Sequence, residues 1–270
     1  MSAAARWREY LLAWALPPAL LAAVPDSPYS WPAHLFRRRQ RGEKGEPPNP
    51  TTRTVLDLLP MGGSLLDVGA GTGRASLPIA AQGYPLTAVE RSPEMAAALR
   101  SEAEASAVRV RVIEGSWPAV AAEAGCHDVV LSAHVVYDVP DLAPFLLALS
   151  QAARVAVVVE AGDRHPWAGL TPYYRALHGL DRPAGPTADL LAEVVVEVLG
   201  AHPEVERWIG PAGMRFADLQ ELTEFYRRRL LVPAERVAEM ADRLAPDIVE
   251  QDGWLSLGGE QTVVTLWWQI

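Results

Sequence analysis

The residues best able to do chemistry lie in the run Leu65-Leu66-Asp67-Val68-Gly69-Ala70-Gly71-Thr72-Gly73. Three glycines spaced Gly-x-Gly-x-Gly permit a tight turn. They also let a ligand rest on the backbone, facing the N–H groups that open the next helix. Arg74 stands where a dinucleotide-binding fingerprint wants glycine or alanine, so the expected ligand is a nucleoside without a pyrophosphate. Glu90 follows Gly69 by roughly 20 residues, the separation at which a carboxylate can accept both ribose hydroxyls.

A second group of polar residues follows the apolar run 128–132. The ordinary histidine pKa, about 6.5, suits a base that takes a proton from a hydroxyl or an amine. His134 and Tyr137 are therefore the expected catalytic pair, with Asp138, Asp163 and His165 as alternatives. His134 could equally be a pocket-shaping hydrogen-bond partner. Downstream, His165, Trp167, Tyr173 and Tyr174 could enclose an apolar or aromatic second ligand, together with Trp7, Trp14 and Trp31. Such rings could also simply pack extra helices. The runs Arg37-Arg38-Arg39 and Arg227-Arg228-Arg229 read either as anion-facing or as solvated surface.

Other chemistries are closed. A lone cysteine, Cys126, supports neither a disulfide framework nor a multi-cysteine metal site. The single lysine, Lys44, sits in a glycine-flanked loop, so there is no phosphate-loop lysine and no strand-borne kinase lysine. No His-Glu-x-x-His and no Gly-x-Ser-x-Gly occurs. The six histidines show no close pairing, and no metal requirement is expected.

The elements that must hold these groups follow a regular rhythm. Runs 64–68, 86–90, 108–113, 128–132 and 155–160 read as strands. Between them, 74–82, 93–105, a short piece after Trp117, and 142–152 read as helices, with Ser92 capping and Pro93 opening the second. That alternation implies a parallel sheet covered by helices on both faces. Beyond Gly162, helices are expected at 187–199, 217–230 and 234–244, before a last strand at 262–268. The first fifty residues read as a helix over 4–16 and a proline-rich connector, with Thr51 or Thr52 capping a helix through Leu59. At 50% apolar and 21% charged residues, this is the make-up of a folded protein rather than a disordered one.

Leu-Asp-Val-Gly-Ala-Gly-Thr-Gly resembles the first motif of the class I S-adenosylmethionine-dependent methyltransferases, and Ala88-Val89-Glu90-Arg91-Ser92-Pro93-Glu94-Met95 resembles their second. The likeness is good over about residues 52–160 and loose elsewhere. It implies a Rossmann-like, mostly parallel seven-stranded sheet, with an N-terminal helical extension and a helical insertion after the fifth strand. It further implies that Asp67 and Gly69, Ala70, Gly71, Thr72 and Gly73 cradle the methionine end of S-adenosylmethionine. Glu90 and Arg91 would then lie at the ribose and Met95 near the adenine. Gly115, Ser116 and Trp117 match a third motif, although relatives carry aspartate where this chain has Ser116. Ser132, in a fourth match, lies on the strand whose end faces the transferred methyl.

The expected activity is methyl transfer to a small-molecule acceptor, with oxygen slightly favoured over nitrogen or carbon. An RNA or protein methyltransferase and a non-catalytic cofactor-binding subunit are the alternatives. A net charge of −9 argues against gripping DNA or RNA across the whole surface. The longest apolar stretch, Leu11–Val24, is interrupted by Pro17-Pro18 and is too short to cross a bilayer. A cytoplasmic protein is expected. Residues 1–50 would form a lid and 51–270 the methyltransferase domain, with its insertion at about 163–186.

Overall fold

Leu65–Val68 and Leu86–Glu90 are buried along their whole length, as strands covered on both faces must be. The structure, a computed structural model, describes residues 1–22, 24, 28, 32–42, 47–210 and 213–270; Pro25, Trp31 and Lys44 lie outside the described residues. Helices α1 (Ala3–Ala13), α2 (Pro18–Ala22), α3 (Ala33–Gly42) and α4 (Pro50–Leu58) precede β1 (Leu65–Val68). The chain then alternates through α5 (Leu77–Ala80), β2 (Leu86–Glu90), α6 (Pro93–Ala105), β3 (Val110–Glu114), α7 (Ala121–Ala124), β4 (His127–Ala133), α8 (Leu142–Ala152) and β5 (Ala153–Gly162). There follow α9 (Thr171–His178), α10 (Ala188–Leu199), β6 (Glu204–Gly210), α11 (Leu219–Arg229), α12 (Val237–Leu244), β7 (Ile248–Gln251), β8 (Trp254–Leu257) and β9 (Gln261–Gln269).

The seven-stranded sheet runs in the order β3-β2-β1-β4-β5-β9-β6, and β7 and β8 form a separate hairpin. Strands β1 to β5 pair in parallel, whereas β9 is antiparallel to both β5 and β6. The order reverses beside β1. In such sheets the crevice at the strand carboxyl ends there receives the ligand.

Several expectations need correction. The cap of α4 is Asn49, whose Oδ1 accepts from Thr52 N at 2.8 Å with Pro50 in the first turn. Thr51 is instead buried, bonded at 2.7 Å to the hydroxyl of Thr265. The proline-rich connector contains α3, because its prolines fall outside 33–42 and leave that stretch free to coil. Helix α5 is far shorter than 74–82, since the residues before it form the glycine turn. Strand β6 was hidden by Glu204-Val205-Glu206-Arg207, an alternation of charge on a sheet edge.

The N-terminal extension is built into two cores. Trp7 is 1% exposed, packed with residues of α8 and α10, and its indole N–H donates to Val139 O at 3.0 Å. Trp14, Leu16 and Leu35 join a second core with Tyr174, Phe216 and Phe225. Replacing Trp7 by alanine is expected to cost roughly 3–5 kcal/mol of stability. Urea unfolding of the full chain measures it, with fully exposed Met61→Ala as a variant that should leave the midpoint unchanged.

Candidate functional site

The carboxyl ends of β1, β2 and β4 open on a cavity of about 1690 Å³. Its floor is the glycine turn. Gly69 N and Ala70 N donate to Val89 O at 2.8 and 3.0 Å, which fastens the turn to β2. Gly69 has φ +77°, and a Cβ there would collide with the Val135 side chain. Gly71, with φ +56°, has open space where a Cβ would stand, and it borders the cavity. The turn thus presents bare backbone to whatever lies above it.

Beneath it lies Asp67, 1% exposed, which also reaches the cavity. Among the described residues neither of its carboxylate oxygens has a hydrogen bond of ordinary geometry, although the Ser76 hydroxyl lies near enough to favour the charged form. Burial pushes its pKa up to about 7; Ser76 and Arg74 pull it down, and the Glu90 and Glu160 charges add to the rise. Glu90 is itself committed, with Oε2 accepting from Gly71 N and Oε1 from Ser92 N, both at 2.8 Å. It ties the glycine turn to the capped start of α6. An ionised carboxylate still has further lone pairs for hydroxyl donors.

Around the turn, Arg91 reaches Asp138 Oδ2 at 2.9 Å at the rim, and Met95 packs with Ala33, Ala98 and Phe36. Gly115, Ser116 and Trp117 border the same cavity, and the Trp117 indole N–H donates to Phe145 O at 3.3 Å. Three expected binding residues stand behind the wall instead. A Cβ on Gly73 would meet Leu77 at 2.7 Å, so it faces α5 rather than the cavity. Ser132 is buried, its hydroxyl donating to Val68 O at 3.1 Å across β1 and β4. Tyr174 is buried in the second core with its hydroxyl donating to Arg229 O.

The expected catalytic pair meets different fates. His134 has φ +59°, a left-handed conformation that costs a residue bearing a Cβ roughly 1–2 kcal/mol. It is held by its backbone N–H, which donates to Glu160 O at 2.8 Å, and its Nε2 lies 3.1 Å from Glu160 Oε1. Burial alone would raise the Glu160 carboxyl, but Arg74, His134 and Thr51 together hold it well below the usual carboxylate range. Tyr137 donates to Gly162 O at 2.9 Å, and burial raises its pKa above the usual phenol value. Its hydroxyl is thereby a structural donor and a poor base. Tyr173 donates to Asp247 on the cavity's far side, and burial likewise keeps it un-ionised.

The far wall comes from segments that the sequence left unassigned. Phe36 arrives from α3, Phe225 and Tyr226 from α11, and residues 257–262 from the approach to β9. Leu11, Trp14 and Ala15 of the first segment also border the cavity. Among the arginine runs, Arg227 pairs with Glu224 at 2.8 Å, whereas Arg229 is buried over the Phe225 ring at 3.4 Å. The only signals for this wall were aromatic residues, which packing alone also explains.

Residues 65–156, which hold the glycine turn, Glu90 and His134, match the family model described as a methyltransferase domain. Residues 65–156 carry a methyltransferase domain. Among solved structures, a methyltransferase from an antibiotic biosynthesis pathway of Anabaena variabilis shares 18% identity, with a TM-score of 0.54, over 81% of this chain and 96% of that one. A Bacillus halodurans methyltransferase shares 14% at TM-score 0.53, over 82% and 98%. Magnesium protoporphyrin IX methyltransferase from Synechocystis, with bound S-adenosylhomocysteine, shares 12% at TM-score 0.51, over 86% and 93%. At these identities the likeness is one of fold. No curated protein sequence matches the chain. Among the described residues, no helix is long and apolar enough to cross a membrane.

Asp67 gives the ligand-free domain a pH signature. Its folded pKa, about 7, lies above the ordinary 3.8, so the folded state binds the extra proton between these values. Stability contributed by the protonated form is lost as pH rises toward 7. Asp67→Asn removes that loss. The variant's stability advantage over the parent should widen by about 2–3 kcal/mol between pH 5 and pH 8. Chemical unfolding at both pH values measures it, and a constant difference would mean that Asp67 is already ionised at pH 5.

Proposed function

We propose that the protein transfers a methyl group from S-adenosylmethionine to a small-molecule acceptor, with an oxygen nucleophile favoured. The observation that carries this reading is the pair of buried Asp67 oxygens, without a hydrogen bond of ordinary geometry, under a bare-backbone turn. A buried carboxylate without a partner is costly unless a cation arrives. The ammonium of the cofactor's methionine end is such a cation. Glu90 and Arg91 suit the ribose, with Met95, Gly115, Ser116 and Trp117 around the adenine; all of them border the cavity. Residues 1–50 and about 163–186 then serve as cover, and 51–270 as the transferring domain.

When bound, S-adenosylmethionine supplies a methyl already activated on a sulfonium, so in-line displacement mainly requires alignment. Asp67 would hold the amino acid end through its ammonium, beside the open backbone at Gly71. His134 is assigned the acceptor proton. The ionised Glu160 beside it favours the tautomer with hydrogen on Nε2, leaving Nδ1 as the basic nitrogen. Arg74 keeps Glu160 charged and so acts through it. Tyr137, tied to Gly162, positions the segment that carries His134. His165, Trp167 and Tyr173 belong to the acceptor wall.

A net charge of −9 and a recessed aromatic cavity support a small acceptor over a polynucleotide. Calorimetry with S-adenosylhomocysteine tests the cofactor half: binding is expected, and Glu90→Ala should weaken it by about 1.5–3 kcal/mol. Binding of a nicotinamide dinucleotide instead would overturn the reading. His134→Asn should leave that binding within threefold. It should also lower turnover by at least about a hundredfold against a panel of phenols, carboxylic acids and amines.

A further inference from the structure

His165 occupies a tightly built corner of the acceptor wall. His165-Pro166-Trp167-Ala168 is a turn closed by Ala168 N donating to His165 O at 2.8 Å, with proline in the position whose φ it pre-sets. Within it, Trp167 N donates to His165 Nδ1 at 3.2 Å. A backbone amide can only donate, so Nδ1 is the unprotonated nitrogen and Nε2 bears the hydrogen. The ring stacks on Trp14, with centroids 4.0 Å apart and planes at 10°, and meets the edges of Tyr137 and Trp167 at 5.7 and 6.1 Å. Among the described residues, Nε2 makes no hydrogen bond, and His165 borders the cavity.

The surroundings hold this state. Burial, reinforced by the Arg182 guanidinium, lowers the His165 pKa to about 3. Arg182 lies 4.8 Å over the Trp14 ring and donates to Trp14 O. The Trp14 indole N–H in turn donates to Gly185 O at 2.5 Å. Flipping the imidazole in its plane would break the Nδ1 bond, and turning it out of its plane would break the stack as well. The other ionisable group against the ring is the Tyr137 phenol, which is bonded to Gly162 and stays neutral.

Resting on the reading of this cavity as a methyl-acceptor site, we infer that His165 is a fixed, neutral hydrogen-bond donor. It selects acceptors in which a flat apolar ring carries an oxygen able to receive the Nε2 hydrogen. The residue takes no proton at any stage. Proton acceptance stays with His134, and His165 decides which ring enters and how it lies. A site built to hydrogen-bond an oxygen rejects the analogue lacking it, because the donor is then buried without a partner.

Nitrogen-15 spectra of histidine-labelled full-length protein with S-adenosylhomocysteine test the state directly, with the His165 signals assigned by their loss in His165→Phe. One ring should show unprotonated Nδ1 and protonated Nε2 unchanged from pH 5 to pH 9. Titration above pH 5, or hydrogen on Nδ1, overturns the inference. Selectivity is read with 2-naphthol and 2-methylnaphthalene. The parent should bind the naphthol at least tenfold more tightly, the preference should collapse in His165→Phe, and His165→Gln should restore part of it. An unchanged preference in His165→Phe, or no binding of either probe, counts against it. Loss of S-adenosylhomocysteine binding by the parent protein would instead fault the cofactor reading, leaving the tautomer result to stand.

Discussion

The structure turns on a buried carboxylate without an ordinary hydrogen bond. Asp67 lies next to the end of β1 inside the sheet, beneath a turn whose glycines keep side chains away, and its two oxygens have no hydrogen bond of ordinary geometry among the described residues. A protein tolerates such a group when a ligand completes it. Around Asp67 the chain arranges Glu90 and Glu160, each occupied differently: Glu90 by backbone amides and Glu160 by Arg74 and His134. Three acidic groups at one sheet edge are therefore held in three separate ways. One is left without an ordinary hydrogen bond at the cavity, one fastens the turn to α6, and one lies against a histidine.

A second dependence runs through Trp14. It sits where α1 ends, bonds Gly185, receives Arg182 on its carbonyl and stacks on His165. The first segment and the segment after β5, far apart in sequence, are thus joined at the cavity. Because Trp7 and Trp14 are both buried in packed cores, helix α1 and its end are continuous with the body of the protein.

The parallel core was legible because strands buried on both faces read as apolar runs, and Ser92-Pro93 is an unambiguous helix start. The glycine turn and Glu90 were legible for a related reason: close approach of a ligand to the backbone allows few residue types. What escaped was local chemistry overruled by neighbours. Asn49 outcompeted Thr51 as a cap because the Thr51 hydroxyl is spent on Thr265. Strand β6 carries charge on an exposed edge, and only its pairing with β9 makes it a strand. The Asp252-Gly253 turn between β7 and β8, both residues at positive φ, was an available hairpin signal. Tyr174 and Tyr173 adjoin in sequence, yet helix geometry turns one into the core and the other to the cavity.

The central claim is that Asp67 ionises to meet the cofactor's ammonium. Titration calorimetry of S-adenosylhomocysteine binding at pH 6, repeated in buffers of different ionisation enthalpy, counts the protons exchanged. With Asp67 starting near pKa 7 and ending ionised, binding should release close to one proton per site. Asp67→Asn should release none. Equal proton counts for parent and variant would contradict it.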